Sequence, residues 1–157
     1  MTTIRIVNLT PSLMADFLSR PLRPEDVLEW SEAGLDPKVD LPDMLDKAID
    51  RRCVVDDSTG VPQCVAVWAV SVSDGIGTLM LIGADRPELV VPIHQEFSRD
   101  EWHRIKLLAP ILQAYPSVKN KQHHKWLTHF GFRKVGVPVE IGKGKYQRYV
   151  FDLAAAE

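Results

Sequence analysis

The sequence predicts an α/β domain built from alternating helices and strands. Three observations carry this. Helix-start signals recur early, at Thr10-Pro11, at Pro24 and at Asp40 to Asp43. From residue 53 the apolar pattern changes to closely spaced β-branched runs separated by turn residues, and two further helical segments then flank a short strand before a closing hairpin. With 157 residues, 45% of them hydrophobic and 25% charged, the chain is expected to form one domain, 1–157.

The elements follow in order. "TTIRIVNL" reads as a short strand carrying Ile4, Ile6 and Leu9, and Thr10 with Pro11 caps and starts a helix over "PSLMADFLSR". "LRPEDVLEWSEAG" gives a second helix, with Pro24 in the first turn, Glu25 and Asp26 at the positive helix end and Gly34 as the stop. "DMLDKAIDRR" gives a third, introduced by Asp40, Pro42 and Asp43, with Met44, Leu45, Ala48 and Ile49 on one face and Arg51 and Arg52 in the last turn.

"CVVDD", "QCVAVWAVSV" and "GTLMLIG" then form a meander, turning at "DSTG" and at Asp74-Gly75. Trp68, among near-continuous apolar neighbours, is expected in the core. A long helix is expected over "IHQEFSRDEWHRIKLLAPIL", with Asp100 and Arg104 paired at i,i+4 and Pro110 ending it. "LQAYPSV" reads as a strand, "NKQHHKWLTHF" as a helix capped by Asn120 and stopped by Gly131, and the remainder as a terminal hairpin turning at "GKGK".

Composition excludes several classes. Cys53 and Cys64 have no metal-ligand spacing, and their apolar strand contexts predict inert thiols rather than a disulfide framework or a nucleophile. No stretch approaches the roughly 18 apolar residues of a membrane span, and "MTTIRIVNLT" does not read as a signal peptide, so a soluble cytoplasmic protein is expected. His123, His124 and His129 are not spaced i,i+4, so no helix-borne metal site is expected. "GKGK" lacks the spacing of a phosphate loop.

Charge is uneven along the chain. Residues 1–90 carry 8 Lys/Arg and 15 Asp/Glu, whereas residues 91–157 carry 11 and 6. The basic half suits a polyphosphate ligand or a solvated face; aromatic-basic nucleic-acid motifs are missing apart from Trp126 and Tyr149.

This element order, with "LRPEDVLEWSEAG" early and "NKQHHKWLTHFGF" late, resembles the GNAT (Gcn5-related N-acetyltransferase) superfamily. The superfamily's last helix commonly starts at Asn and ends in Gly-Phe, here Asn120, Gly131 and Phe132. The nearest likeness is to the divergent GNAT-like proteins of T7-like tailed bacteriophages, through Arg23, Pro24 and Asp26, Gly83, Ala84 and Asp85, Pro92, and Asn120, Trp126, Leu127, Gly131 and Phe132. The resemblance implies a mixed central sheet of about six or seven strands flanked by four or five helices, with acetyl-CoA held between splayed fourth and fifth strands.

What the resemblance implies for the site is specific. Acetyl-CoA would lie along Ile93, His94 and Gln95 and along Asn120, Lys121, His124 and Trp126, with Lys119, Lys121 and Lys125 either meeting its adenosine-side phosphate or simply solvated. Asp85, at the end of the central strand, is the first candidate for the base that deprotonates an acceptor amine, ahead of Glu32 and His94. Two positions depart from the pattern. The pyrophosphate loop, glycine-rich in active relatives, reads "VVPIHQEFSRDE", with no glycine between Gly83 and Gly131, and the usual proton-donating Tyr is Leu127. Two functions follow from the resemblance: acetyl transfer from acetyl-CoA to a primary amine, or a catalytically degenerate phage module that binds a host or virion protein.

Overall fold

The computed structural model describes residues 3–156. Seven strands form one mixed sheet: β1 (Ile4–Asn8), β2 (Asp50–Asp56), β3 (Gln63–Ser73), β4 (Ile76–Gly83), β5 (Ile111–Ala114), β9 (Tyr149–Asp152) and β6 (Arg133–Lys134), in that spatial order. All neighbours are antiparallel except β4 and β5. A separate hairpin, β7 (Val139–Ile141) with β8 (Gly144–Tyr146), turns within "GKGK". The hairpin expected at the end of the chain is therefore split, because β9 pairs back onto β5 and β6 while β7 and β8 pair with each other, and β8 bridges to Ser117 through Tyr146.

The helices are α1 (Pro11–Leu18), α2 (Pro24–Glu32), α3 (Pro37–Asp46), α4 (Val90–Glu96), α5 (Trp102–Ile105) and α6 (Lys121–His129). Thr10 caps α1 by accepting the Leu13 N–H at 3.2 Å, and Pro24 and Gly34 bound α2 as the sequence predicts. The third helix starts earlier than expected. Asp36 Oδ1 accepts the Lys38 N–H at 3.0 Å and Pro37 opens the helix, so Pro42 falls inside it. The helix also ends at Asp46, and Arg51 and Arg52 belong to β2, where Arg52 reaches Asn8 and Glu101.

The long helix is interrupted. A π-helical segment, Phe97–Glu101, separates α4 from α5, and the extra residue turns Glu101 inward against Arg52 and Arg104. Arg104 thus pairs with Glu101 and with both oxygens of Asp50 at 2.8 Å, while Asp100 pairs with Arg99 instead of the expected Arg104. Trp68 is buried and meets Phe97 edge-on at 5.0 Å, which fixes α4 over the middle of the sheet. Trp102, Phe130, Phe132 and Phe151 continue that aromatic cluster and join α5, α6 and β9.

Cys53 and Cys64 are free and buried. No helix among the described residues is long and apolar enough to cross a membrane.

Candidate functional site

The two central strands part company. β4 pairs with β5 only from Ile76 to Thr78, against Ile111 to Gln113, yet it continues beside β3 as far as Gly83. A gap therefore opens between the end of β4 and the chain leaving β5. The ladder's alternation decides what faces it. The Ala84 N–H bonds to the Val65 carbonyl on the β3 side at 2.9 Å, so the main-chain groups of Gly83 and Leu81 point the other way, into the gap.

Gly83 is already spoken for. Its carbonyl accepts the Arg23 N–H at 2.9 Å and its N–H donates to Asp26 Oδ2 at 2.8 Å, while Leu22 bridges to Ala84. Leu81, two residues nearer the root of the gap, lies between two cavities. One is a slot of about 50 Å3 lined by Trp68, Leu81, Ile93, Gln122, His123 and Trp126, among others. The other is an apolar cavity of about 290 Å3 walled by Trp30, Leu79, Leu127 and Tyr146, with Glu29 and His123 as its charge-bearing groups. Leu81 and His123 line both.

A buried polar cluster spans the gap. Asp26 and Glu29 lie three apart on α2, so they share a face. Asp26 holds the end of β4 through Gly83, and Glu29 Oε2 accepts the Ser117 N–H at 2.7 Å, which holds the chain beyond β5. Asn120 Nδ2 sits between them, 2.9 Å from Asp26 Oδ1 and 3.1 Å from Glu29 Oε2, and Asn120 Oδ1 accepts from Arg23 Nη2 at 2.7 Å. Arg23 also bonds Gln122. The expected Asn120 cap is thus not a side-chain cap, because its Oδ1, the atom that would accept a helix N–H, is taken by Arg23 while the carboxylates hold its Nδ2.

His123 completes the cluster, its Nε2 3.4 Å from Asp26 Oδ1 and its Nδ1 3.5 Å from Glu29 Oε1. Burial by itself pushes this imidazole down, but the approach of Glu29 and the charges of Asp26 and Glu29 outweigh it and hold the net shift upward. Along the chain His123 is marked only by lying four residues before Leu127, on the same helical face, and its distant carboxylate partners leave no local signal.

The other predicted residues divide. Ile93 is buried and lines the slot with Trp126. His94 stacks among Trp126, His129 and Phe130, and burial, then the neighbouring His129, lowers its pKa. His124 is held by Tyr149 Oη at 2.6 Å and the Ser117 carbonyl at 2.8 Å; donation to the carbonyl assigns the proton to Nε2 and leaves Nδ1 to accept from the phenol. Gln95 is exposed on α4.

Asp85 is exposed beyond β4. It lines a polar cleft of about 510 Å3 with Arg23, Glu25, Lys119, Asn120 and Lys121 rather than the apolar cavity. Lys119 pairs with Glu32 at 3.1 Å. Arg86, the cation just before the Pro87–Leu89 turn, is engaged by Asp56, Glu88 and Gln63. Polar cleft, slot and apolar cavity share residues in sequence: Arg23, Val90 and Gln122 line the first two, and Leu81 and His123 the last two.

Two buried donors on residues that line the slot make no hydrogen bond, Arg23 Nε and Trp68 Nε1. Trp68 is 1% exposed. A carbonyl entering the slot would satisfy its Nε1.

No family model matches the sequence, and no curated protein does. Solved structures match its shape. Aminoglycoside acetyltransferase AAC(6')-Ib in complex with coenzyme A superposes with a TM-score of 0.69 at 15% identity, covering 98% of this chain and 96% of that one. Spermidine N-acetyltransferase from Vibrio cholerae, with CoA and spermine, gives 0.64 at 10% identity over 96% of each chain. The ribosomal-protein-S18-alanine N-acetyltransferase of Escherichia coli gives 0.62 at 11% identity, covering 96% and 94%. The chain has the GNAT acetyltransferase fold.

Proposed function

We propose that the protein is an N-acetyltransferase that moves the acetyl group of acetyl-CoA to a primary amine at the gap between β4 and β5. One observation carries the reading. The gap leaves the edge of β4 at Leu81 without a β5 partner beside a slot that is lined by Trp68, whose N–H is unpartnered, and that joins a polar cleft to an apolar cavity. An extended, amide-bearing thioester arm has acceptors for the Trp68 N–H and both donors and acceptors for a strand edge.

The fit differs along the cofactor. The arm suits the slot, whereas the phosphate end lacks a glycine cradle and depends on Lys119 and Lys121 at the cleft, with Lys125 beyond it. Coulomb attraction and charge-assisted hydrogen bonds would replace the backbone nest.

The chemistry is assigned to the cluster. A neutral amine in the cavity attacks the thioester carbonyl carbon, forming the C–N bond. As the C–S bond breaks, Glu29 Oε1 takes the proton leaving the nitrogen and protonated His123 gives one to the sulfur. Transfer from Glu29 to His123 then restores both. His123 thereby supplies the acid that Leu127 lacks, and Glu29 takes the role first given to Asp85.

A second reading rests on a different observation. Asp26 and Glu29 bind the Gly83 and Ser117 N–H groups and tie the two sides of the gap together, which suits a degenerate module that docks a host or virion protein.

Calorimetric titration with acetyl-CoA separates the two. The transferase reading expects micromolar binding, weakened about tenfold when Lys119, Lys121 and Lys125 are all changed to Ala, a sum of modest exposed charge contacts. Absence of binding at millimolar acetyl-CoA overturns it in favour of the docking module.

A further inference from the structure

We infer that the apolar cavity selects a small hydrophobic monoamine as acceptor, with its nitrogen against Glu29 and an aryl or branched alkyl body against the walls. This rests on the transferase reading and adds the substrate class to it.

Size sets the first limit. The cavity holds about 290 Å3, and since an apolar cavity of roughly 150 Å3 takes benzene, it has room for about ten to twelve non-hydrogen atoms. Its walls set the second. Trp30, Leu79, Leu81 and Leu127 are apolar, so each methylene or ring atom of a ligand gains burial there, whereas hydroxyls or a second ammonium would be stranded.

The apolar character continues to the surface. Leu35, Met44, Tyr115 and Ile141 ring the mouth, each between 37% and 43% exposed. Scattered surface apolar residues need no explanation, but these four converge on one opening.

Charge fixes the functional group. Glu29 Oε2 is saturated by Ser117 and Asn120, while Oε1 has only His123, at 3.5 Å. That leaves an acceptor in a dry wall with room for an N–H donor. The Glu29 and Glu32 carboxylates both act on the neighbouring Tyr146 hydroxyl, raising its pKa after the effect of burial. An anionic ligand would meet that acidic wall, where the imidazole of His123 is already paired with Asp26 and Glu29.

The test uses the whole protein and does not require acetyl-CoA. Calorimetry should show saturable binding of 2-phenylethylamine at least tenfold tighter than of spermidine or of phenylacetate. Glu29→Gln should weaken it at least tenfold, and Met44→Glu, at the exposed mouth, should weaken it several-fold while leaving the thermal unfolding curve in place. Equal or tighter binding of spermidine or phenylacetate overturns the inference, as does tighter binding of the tripeptide Phe-Ala-Ala, which would place a polypeptide N-terminus there.

Thiol release from acetyl-CoA then separates the two levels. Release with spermidine but not with 2-phenylethylamine overturns the acceptor class and keeps the transferase. Binding of 2-phenylethylamine without thiol release from any amine keeps the cavity's selectivity and overturns the transferase.

Discussion

Asp26 and Asn120, 94 positions apart, are joined by a 2.9 Å hydrogen bond between two buried side chains. That bond links α2 to the start of α6 across the gap, and Asp26 also holds the Gly83 N–H and Arg23. The gap is therefore braced from inside, and what enters it must fit beside the brace.

Removing either partner should be costly. Asp26→Ala leaves Arg23 and the Gly83 N–H without their carboxylate and is expected to cost about 3–5 kcal/mol, the range for breaking a buried ion pair. Asn120→Ala is expected to cost about 1–3 kcal/mol, since it strands neighbouring polar groups. Denaturant unfolding of the singles and the double should give a coupling of about 1–3 kcal/mol, and additive effects would show that the two act separately.

Stability should depend on His123. Its imidazole faces Asp26 and Glu29 from α2, Arg23 before α2, and Asn120 on its own segment. Because its folded pKa is raised above the ordinary 6.5, the stabilisation is fully present below 6.5 and is lost as pH rises through the folded value. Thermal unfolding should therefore fall in midpoint between pH 6 and pH 9. In His123→Gln the fall should be smaller, and an identical pH profile would refute the assignment.

Gly142 supports the mouth of the apolar cavity. Its φ is +59°, and a Cβ there would lie 2.5 Å from the Glu32 carbonyl oxygen, to which the Lys143 N–H already bonds at 2.6 Å. Gly142→Ala is expected to cost about 1–3 kcal/mol, combining left-handed strain with displacement of the β7–β8 hairpin from α2. Chemical denaturation measures the loss, and a neutral substitution would mean that the hairpin tolerates the shift.

Local signals were legible in the sequence where the partner is near in the chain. Thr10-Pro11, Pro24, Gly34, the Asp74-Gly75 turn and Gly131 all do what their neighbours dictate, and the strand meander around Trp68 follows from its apolar run. The element order sufficed for the fold. The site was harder because its contacts are distant. Asp26 reads as a helix-dipole acid and Asn120 as a cap, and each has that appearance locally while its carboxylate or amide is spent on the other. The same cause hid Arg52, whose partner Glu101 reaches it only through the π-helical turn. Asp85 reads locally as the end of the central strand, whereas β4 ends at Gly83 and Asp85 lies exposed two residues past it, where the chain turns away.

The most direct measurement is the indole N–H spectrum of the protein, whose four tryptophans give four assignable signals. The account predicts that acetyl-CoA shifts the Trp68 signal downfield, as its unpartnered N–H gains an acceptor, and leaves buried Trp102 nearly unchanged. An unshifted Trp68 signal at saturating or millimolar acetyl-CoA would contradict it.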